Sequence, residues 1–241
     1  MNSLLQFAID AHGGLTRWKA FDAIRARLTV RGAVFDAKAV PGFQENVAYE
    51  LALRDEKVTT TGFGGPDLQL RFTPDHLVWG SLDGRVIESR DHPRESFRGH
   101  DQTTPWDPLH LGYFTSYALW TYLHLPFLYA EPGFVVEEIE PWLEAGETWR
   151  RLQATFPESV ASHCRQQVTH FGPDGLMRRH DYTVDVLGGA SGANYSSNYR
   201  EIQGIKMPMA RRVYAYDSRG ARVAEPLLVS IDIGELSFVK T

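Results

Sequence analysis

Apolar and polar residues alternate along much of the chain, with the two-residue period of a strand that buries one face. The first clear example is the segment 24–31, and a partner strand is predicted at 33–40. Further strands are predicted at 46–54, 58–62, 68–72, 77–80, 86–89, 135–140, 148–156, 165–171, 176–186, 195–202, 211–216 and 227–236. Turn sequences such as GPDG at 172–175 separate them, as hairpins require. No strand–helix–strand order occurs, so the sheet is predicted to be antiparallel.

Two segments carry a helical period instead. The first twenty residues have apolar positions at helical spacing, which predicts a short N-terminal helix. A second segment, about 107–130, opens with Asp107 before Pro108, an N-cap followed by a first-turn proline. No Lys, Arg, Asp or Glu occurs from 108 to 130. Because the segment is rich in aromatic, histidine and hydroxyl residues, we expect a helix buried inside the fold and no membrane span.

These elements predict a mainly β fold over 1–241 as a single half-barrel domain. In this fold, a curved antiparallel sheet, an incomplete β-barrel, wraps around the aromatic-rich helix, and a short N-terminal helix precedes it. A curved sheet cannot leave its apolar face in water, and the helix at 107–130 would cover that face. No linker or internal repeat divides the chain.

Several stretches resemble known bacterial sequences. The tail carries YREIQGIKMP at 199–208 and RRVY at 211–214. This pattern and the element order resemble the bacterial lipoprotein carriers of the LolA/LolB-like superfamily, which implies a half-barrel with a helical plug. HGGLTRW at 12–18, PWDPLHL at 105–111 and HDYTVDVLGG at 180–189 are similar to segments of uncharacterised bacterial proteins, a resemblance that implies no activity.

One face of the predicted helix combines aromatic rings with two imidazoles, unlike the Leu and Ile stripe of an ordinary core helix. The face consists of His110, Phe114, Tyr117, Thr121 and His124, with Tyr113 and Trp120 beside it and Trp106 just before the helix. Ligand cavities are apolar with a few placed polar groups, so this face predicts a cavity for an apolar or aromatic ligand. The alternative is a packed core in which Tyr and His find partners across the sheet.

The strand at 176–186 adds a second group of candidates. His180 and Tyr182 share the face that the valines mark as buried. Tyr195 and Tyr199, on a later strand, are predicted to meet them across the sheet. We also expect Trp120 to lie against the sheet that carries His180 and Tyr182.

Three functions remain open at this stage. In the first, the cavity binds an apolar small molecule or lipid, through the helix residues named above together with His180, Tyr182, Tyr195 and Tyr199. In the second, the protein is an enzyme that uses the same cavity with His180, Tyr182 or His110 as acid–base residues, because histidine titrates near neutrality. The third is a structural or partner-binding module without a ligand.

Composition and spacing restrict the classes of partner and cofactor that the protein is expected to bind. The net charge is −5 and the densest basic clusters are pairs, which argues against nucleic acid as a partner. Histidines and the single Cys164 show no metal-ligand spacing, and no phosphate loop occurs, so neither a metal nor another cofactor is expected. Residues 1–14 lack the basic start and long apolar centre of a secretory signal, so we expect a cytoplasmic protein. No pattern predicts an oligomeric state.

Overall fold

The computed structural model describes residues 2–240. Its α-helices are α1 (Ser3–Ala11), α2 (Leu15–Trp18), α3 (Ala33–Ala37) and α4 (Pro108–His124). Its strands are β1 (Ala23–Arg31), β2 (Val47–Ala52), β3 (Val58–Thr61), β4 (Leu68–Thr73), β5 (His76–Ser81), β6 (Val86–Asp91), β7 (Val135–Glu144), β8 (Glu147–Thr155), β9 (Gln166–Phe171), β10 (Met177–Val184), β11 (Ala190–Ile202), β12 (Ile205–Tyr214) and β13 (Val229–Val239). Short 3-10 helices occupy Pro93–Phe97, Phe127–Ala130 and Asp185–Leu187.

All thirteen strands form one antiparallel sheet, in the order β6-β5-β4-β3-β2-β1-β13-β12-β11-β10-β9-β8-β7. The first and last strands of the chain pair in the middle, where Ile24 lies opposite Phe238. The sheet does not close, because β6 and β7 remain as its two edges. The predicted mainly β fold with an incomplete barrel is therefore confirmed.

Helix α4 lies between the two edge strands in the chain and is enclosed by the sheet in space. Every residue from 111 to 124 is buried, so the helix has no solvent face. It bonds to both halves of the sheet: Trp120 Nε1 donates to the carbonyl of Ala52 at the end of β2, and the backbone carbonyl of Tyr122 accepts from Arg211 on β12. This enclosure explains why the segment carries no charged residue.

The start of α4 follows the prediction from Asp107 and Pro108. The Asp107 carboxylate accepts from the backbone N–H of His110 at 2.8 Å, and His110 Nδ1 accepts from the backbone N–H of Asp107 at 3.3 Å. Arg90 Nη2 also donates to Asp107 at 2.7 Å. The helix ends at His124, before Pro126, because a residue that precedes proline is driven out of the helical region.

The predicted strand at 33–40 is wrong. Residues Ala33–Ala37 form helix α3, and β1 pairs instead with β2 and β13. Gly32 adopts a φ of 135°, which lies in the left-handed region and turns the chain away from the sheet. A Cβ at Gly32 would also come within 2.3 Å of the Leu228 carbonyl oxygen. The Val34 and Phe35 side chains then cover one end of the enclosed space.

No helix within residues 2–240 is long and apolar enough to cross a membrane.

Candidate functional site

A cavity of about 340 Å³ lies between α4 and the inner face of the sheet, beside α3 and strands β1 and β10 to β13. Its apolar wall consists of Val30, Ala33, Val34, Phe35, Ala37, Phe114, Ala118, Leu119, Val184, Leu187, Ala190, Gly192, Val213, Ala215, Pro226, Leu228, Val229 and Ile231. Its polar lining consists of Lys38, Gln102, Thr115, Tyr122, His163, Tyr182 and Ser191. Ala37, Gln102 and Pro226 are exposed, so the cavity opens beside α3.

Small residues leave this space between helix and sheet. Ala118 lines the cavity from α4, and Ala190 and Gly192 of β11 and Ala215 just after β12 line it from the opposite side. At Gly192, a Cβ would come within 2.4 Å of the Tyr182 ring. Only glycine at this position lets that ring lie flat across the strand.

A buried histidine joins three tyrosines along the cavity wall. The Tyr117 hydroxyl lies 3.1 Å from His163 Nδ1, and the Tyr122 hydroxyl lies 2.7 Å from His163 Nε2. The Tyr122 and Tyr182 hydroxyls also bond to each other, and the His163 ring stacks on that of Tyr182 at 4.1 Å. Burial lowers the pKa of His163 well below its usual value and raises the pKa values of all three phenols. At neutral pH this network is therefore uncharged.

A second polar group lies deeper along the same face of the sheet. We call His180, Asn194 and Arg211 the inner polar cluster. They occupy β10, β11 and β12, and each is at most 1% exposed. Arg211 donates to Ser196 Oγ at 3.0 Å and to the Tyr122 carbonyl at 2.6 Å, and its guanidinium lies 5.2 Å from the Tyr122 ring centroid. Tyr122 therefore lines the cavity and also contacts this cluster.

Comparisons with known proteins give a fold but no activity. No protein-family model and no curated protein matches the chain. Among solved structures, a LolA superfamily protein from Nitrosomonas europaea is similar over 99% of this chain and 93% of its own, with a TM-score of 0.51 at 8% identity. A domain named as an outer membrane lipoprotein-sorting protein, from Vibrio parahaemolyticus, is similar over 97% and 91%, with a TM-score of 0.52 at 11% identity.

The chain has the LolA-like fold. The resemblance predicted from 199–208 and 211–214 is confirmed at the level of architecture. At such identities the likeness extends to the path of the chain and does not identify functional residues, which have to be argued from this site.

Of the predicted ligand-binding residues, Phe114 and Tyr182 line the cavity. Tyr117 lies behind the wall and reaches it through His163. Trp106 packs on Phe114 with ring centroids 5.0 Å apart. These four residues are brought together as a group. His180 lies next to them, with its ring 5.3 Å from that of Tyr182, whereas the remaining predicted residues lie elsewhere.

Three of the helix residues lie at the ends of α4 or against other strands. His110 caps the helix, as described above. Tyr113 packs against Phe72 on β4. Trp120 lies on the inner face, as expected, against the sheet that carries His180 and Tyr182, but it contacts that sheet at the end of β2 and not at β10.

His124 shares the Trp120 side of the helix. Its Nδ1 lies 2.6 Å from the Trp120 carbonyl oxygen, and its ring is 4.2 Å from that of Trp120. Burial lowers the pKa of His124 to about 4. It belongs to packed core outside the cavity lining.

Tyr195 and Tyr199 have different positions. Tyr195 lies opposite Arg179 on the outer face, and its hydroxyl donates to Glu144 at 2.6 Å, so its predicted meeting with His180 is wrong. Alternation along β11 explains this, since Asn194 is the residue that faces inward beside His180. Tyr199 is half-buried near α1, where its hydroxyl donates to the Met177 carbonyl at 2.8 Å.

The sequence analysis missed Tyr122, His163, Asn194 and Arg211. One signal for Arg211 was present: the alternate residues of β12 are Ile205, Met207, Met209 and Val213, all buried, and Arg211 continues that face. His163 lies in the loop between β8 and β9, where no periodicity applies. Within residues 2–240, no group of three His, Cys, Asp or Glu side chains is arranged to hold a metal ion.

Proposed function

We propose that this protein binds an apolar small molecule or lipid in the cavity between α4 and the sheet. The observation that carries the proposal is the cavity itself: about 340 Å³, mostly apolar walls and an opening beside α3. This volume falls at the lower end of the ~300–1,000 Å³ range of ligand pockets. One structural neighbour carries lipoprotein sorting in its name, which agrees with an apolar ligand.

An enzyme that uses the same cavity is the second candidate, because His163 and two tyrosines line the wall. Burial moves these groups away from neutrality in opposite directions, the histidine pKa down and the phenol pKa values up. Efficient acid–base residues have pKa values near the working pH. His180, proposed from the sequence as a catalyst, has its pKa lowered by burial to about 3. The electrostatics therefore support binding over acid–base catalysis.

A cavity-filling substitution tests the binding proposal. Ala118 is 5% exposed and lines the cavity, so Ala118→Phe should place a ring in the void. The uncharged apolar dye N-phenyl-1-naphthylamine should bind the parent protein with a rise in fluorescence and should not bind the variant. The stability of the variant should be retained, because filling a void does not strain the core.

The matched control is Ala221→Phe, the same change at an exposed loop position. This variant should bind the dye like the parent. If the region were solid core, Ala118→Phe would cost about 1–3 kcal/mol through overpacking. That loss, together with no dye binding by the parent, would reject the cavity in favour of a structural module.

A further inference from the structure

The inner polar cluster contains hydrogen-bonding groups that the protein does not satisfy. His180 and Asn194 lie directly opposite each other on β10 and β11, and both are 0% exposed. Among the described residues, neither ring nitrogen of His180 and neither amide atom of Asn194 has a partner of good hydrogen-bond geometry, and Arg211 Nε has none either; the Asn194 amide lies near the Tyr122 hydroxyl and acts to lower the pKa of that phenol. Buried polar atoms in folded proteins are almost always paired, so these five atoms indicate a missing polar partner.

The cluster also holds a buried charge without a counterion. Arg211 bonds only neutral oxygens, those of Ser196 and the Tyr122 backbone. The acidic groups that act on it within residues 2–240 are the phenols of Tyr199, Tyr122 and Tyr182, whose raised pKa values keep them neutral at neutral pH. Arginine stays protonated in proteins, and an uncompensated buried cation is strongly unfavourable.

Arg179 shows the usual solution on the other face of the same sheet. It is equally buried, at 0% exposure, and it pairs with Glu144 at 3.0 Å and Asp181 at 2.6 Å. The chain therefore supplies two carboxylates to one buried arginine and none to the other. This difference points to an anion that comes from outside the chain.

The cluster adjoins the cavity on the sheet. Arg211 lies directly opposite Ile231, and Val213 follows it on the same face of β12; both neighbours line the cavity. On β11, Asn194 lies on the same face as Gly192, two residues away, and Gly192 lines the cavity. The Tyr122 ring, which lines the cavity, lies 5.2 Å from the guanidinium.

We propose that Arg211, together with Asn194 and His180, binds the carboxylate of an amphiphilic ligand whose apolar chain occupies the cavity. This inference rests on the binding function proposed above. The carboxylate accepts from the Arg211 guanidinium and from the Asn194 amide, which gives the buried cation its counterion. This binding mode requires the Tyr122 side chain to leave its hydrogen bonds with His163 and Tyr182.

Lys38, which lines the cavity near its opening, has a carboxylate of the chain beside it. Its ammonium group donates to the backbone carbonyls of Asp101 at 2.5 Å and Thr104 at 3.0 Å, and the Asp101 carboxylate acts on its charge. It therefore holds the loop 98–105 in place, and the carboxylate is assigned to Arg211 at the inner end.

Competition against N-phenyl-1-naphthylamine at neutral pH tests the proposal on the parent protein. Decanoate should displace the dye at a concentration at least ~10-fold lower than decan-1-ol, since hydrogen bonds to charged groups are stronger than neutral ones by a free energy that corresponds to about tenfold in Kd. Acetate, the head group without a chain, should not displace it. Equal potency of decanoate and decan-1-ol would overturn the carboxylate site and leave the binding function intact. Displacement by acetate at decanoate concentrations would also overturn it, as a site for free anions.

If the dye, decanoate and decan-1-ol all fail to bind the parent protein, the binding function itself is rejected, so the two failures are distinguishable.

In the variant Arg211→Met, the preference for decanoate over decan-1-ol should fall to about onefold while decan-1-ol still competes with the dye. Met fills a similar volume and removes an unpaired buried charge, so the variant should fold, which its melting temperature checks. Arg212→Met, the neighbouring residue on the outer face, is the matched control and should keep the preference. Loss of the preference in Lys38→Met but not in Arg211→Met would place the head group at the opening and overturn the assignment.

Discussion

Trp120 and Tyr122 leave α4 in nearly opposite directions, because residues two positions apart in a helix differ by about 200° around its axis. On the Trp120 side, the indole N–H donates to the Ala52 carbonyl at 2.9 Å, and Trp18 packs edge-on against His124 at 5.5 Å. On the Tyr122 side lie the cavity, the His163 network and the inner polar cluster. One side of the helix therefore packs into an aromatic core, and the other side faces the cavity and the inner polar cluster.

The difference separates residues that stabilise the fold from residues that are available to a ligand. Trp18 also stacks on Phe127 at 4.3 Å, so α2 and the 3-10 helix after α4 complete the packed side. The Tyr122 side keeps space and unpaired polar atoms, both of which cost stability. Local features that lower stability are expected at functional sites, which supports the proposal that the ligand binds on the Tyr122 side.

The largest expected effect is on the packed side. Trp120→Ala should lower the free energy of unfolding by about 3–5 kcal/mol, since the indole is buried and nothing moves in to replace it. Urea denaturation measures this loss. Dye binding by the folded variant should match the parent, because Trp120 does not line the cavity. A small stability loss with strongly altered dye binding would reverse the assignment of the two sides.

The packed side should also make stability depend on pH. The pKa of His124 falls from 6.5 in the unfolded chain to about 4 in the fold, because burial disfavours the charged ring. As pH falls, the unfolded chain therefore binds this proton before the folded protein does. The contribution of His124 to the free energy of unfolding is fully present above pH 6.5 and is lost as pH falls toward 4. Each unit of pKa difference contributes about 1.4 kcal/mol.

Urea denaturation of His124→Gln over that pH range tests this contribution. The variant should lose less stability on acidification than the parent does. His92→Gln, at an exposed position, controls for the loss of a histidine as such. An unchanged loss in His124→Gln would show that other buried histidines carry the whole effect.

The elements that the sequence predicts well depend on local patterns. Two-residue alternation identifies β1 and β10, and Asp107 with Pro108 gives the start of α4 to the residue. The half-barrel architecture follows from the order of these elements. A curved sheet needs a cover, and the long charge-free helix is the element able to provide one.

The remaining features depend on contacts that local patterns do not encode. Helix α3 begins after the turn at Gly32. The sequence after this turn still has the pattern of a strand, but the turn directs the chain away from the sheet. The side of α4 that each aromatic residue faces depends on how the helix is rotated inside the sheet. The inner polar cluster needs the register of three strands, in which His180 meets Asn194 and Arg211 lies one strand further. Arg179 is buried although its face was not marked as apolar, because Trp142 and Glu144 from the β7 hairpin cover it.

The smallest expected effect distinguishes an unpaired buried amide from a paired buried hydroxyl. Asn194→Leu should raise the free energy of unfolding by about 1 kcal/mol, because an apolar side chain of similar size removes two unsatisfied atoms. Thr169→Val is the matched contrast, since Thr169 is equally buried but bonds the Tyr129 hydroxyl at 2.7 Å. It should lower stability by about 1–2 kcal/mol, because it leaves that hydroxyl unpaired. Both values come from urea denaturation of ligand-free protein.

If Asn194→Leu destabilises as much as Thr169→Val, ordered water satisfies the amide, and the cluster is structural. If it stabilises the fold while weakening decanoate binding, the chain has kept a less stable residue at the position where a ligand's carboxylate needs a donor.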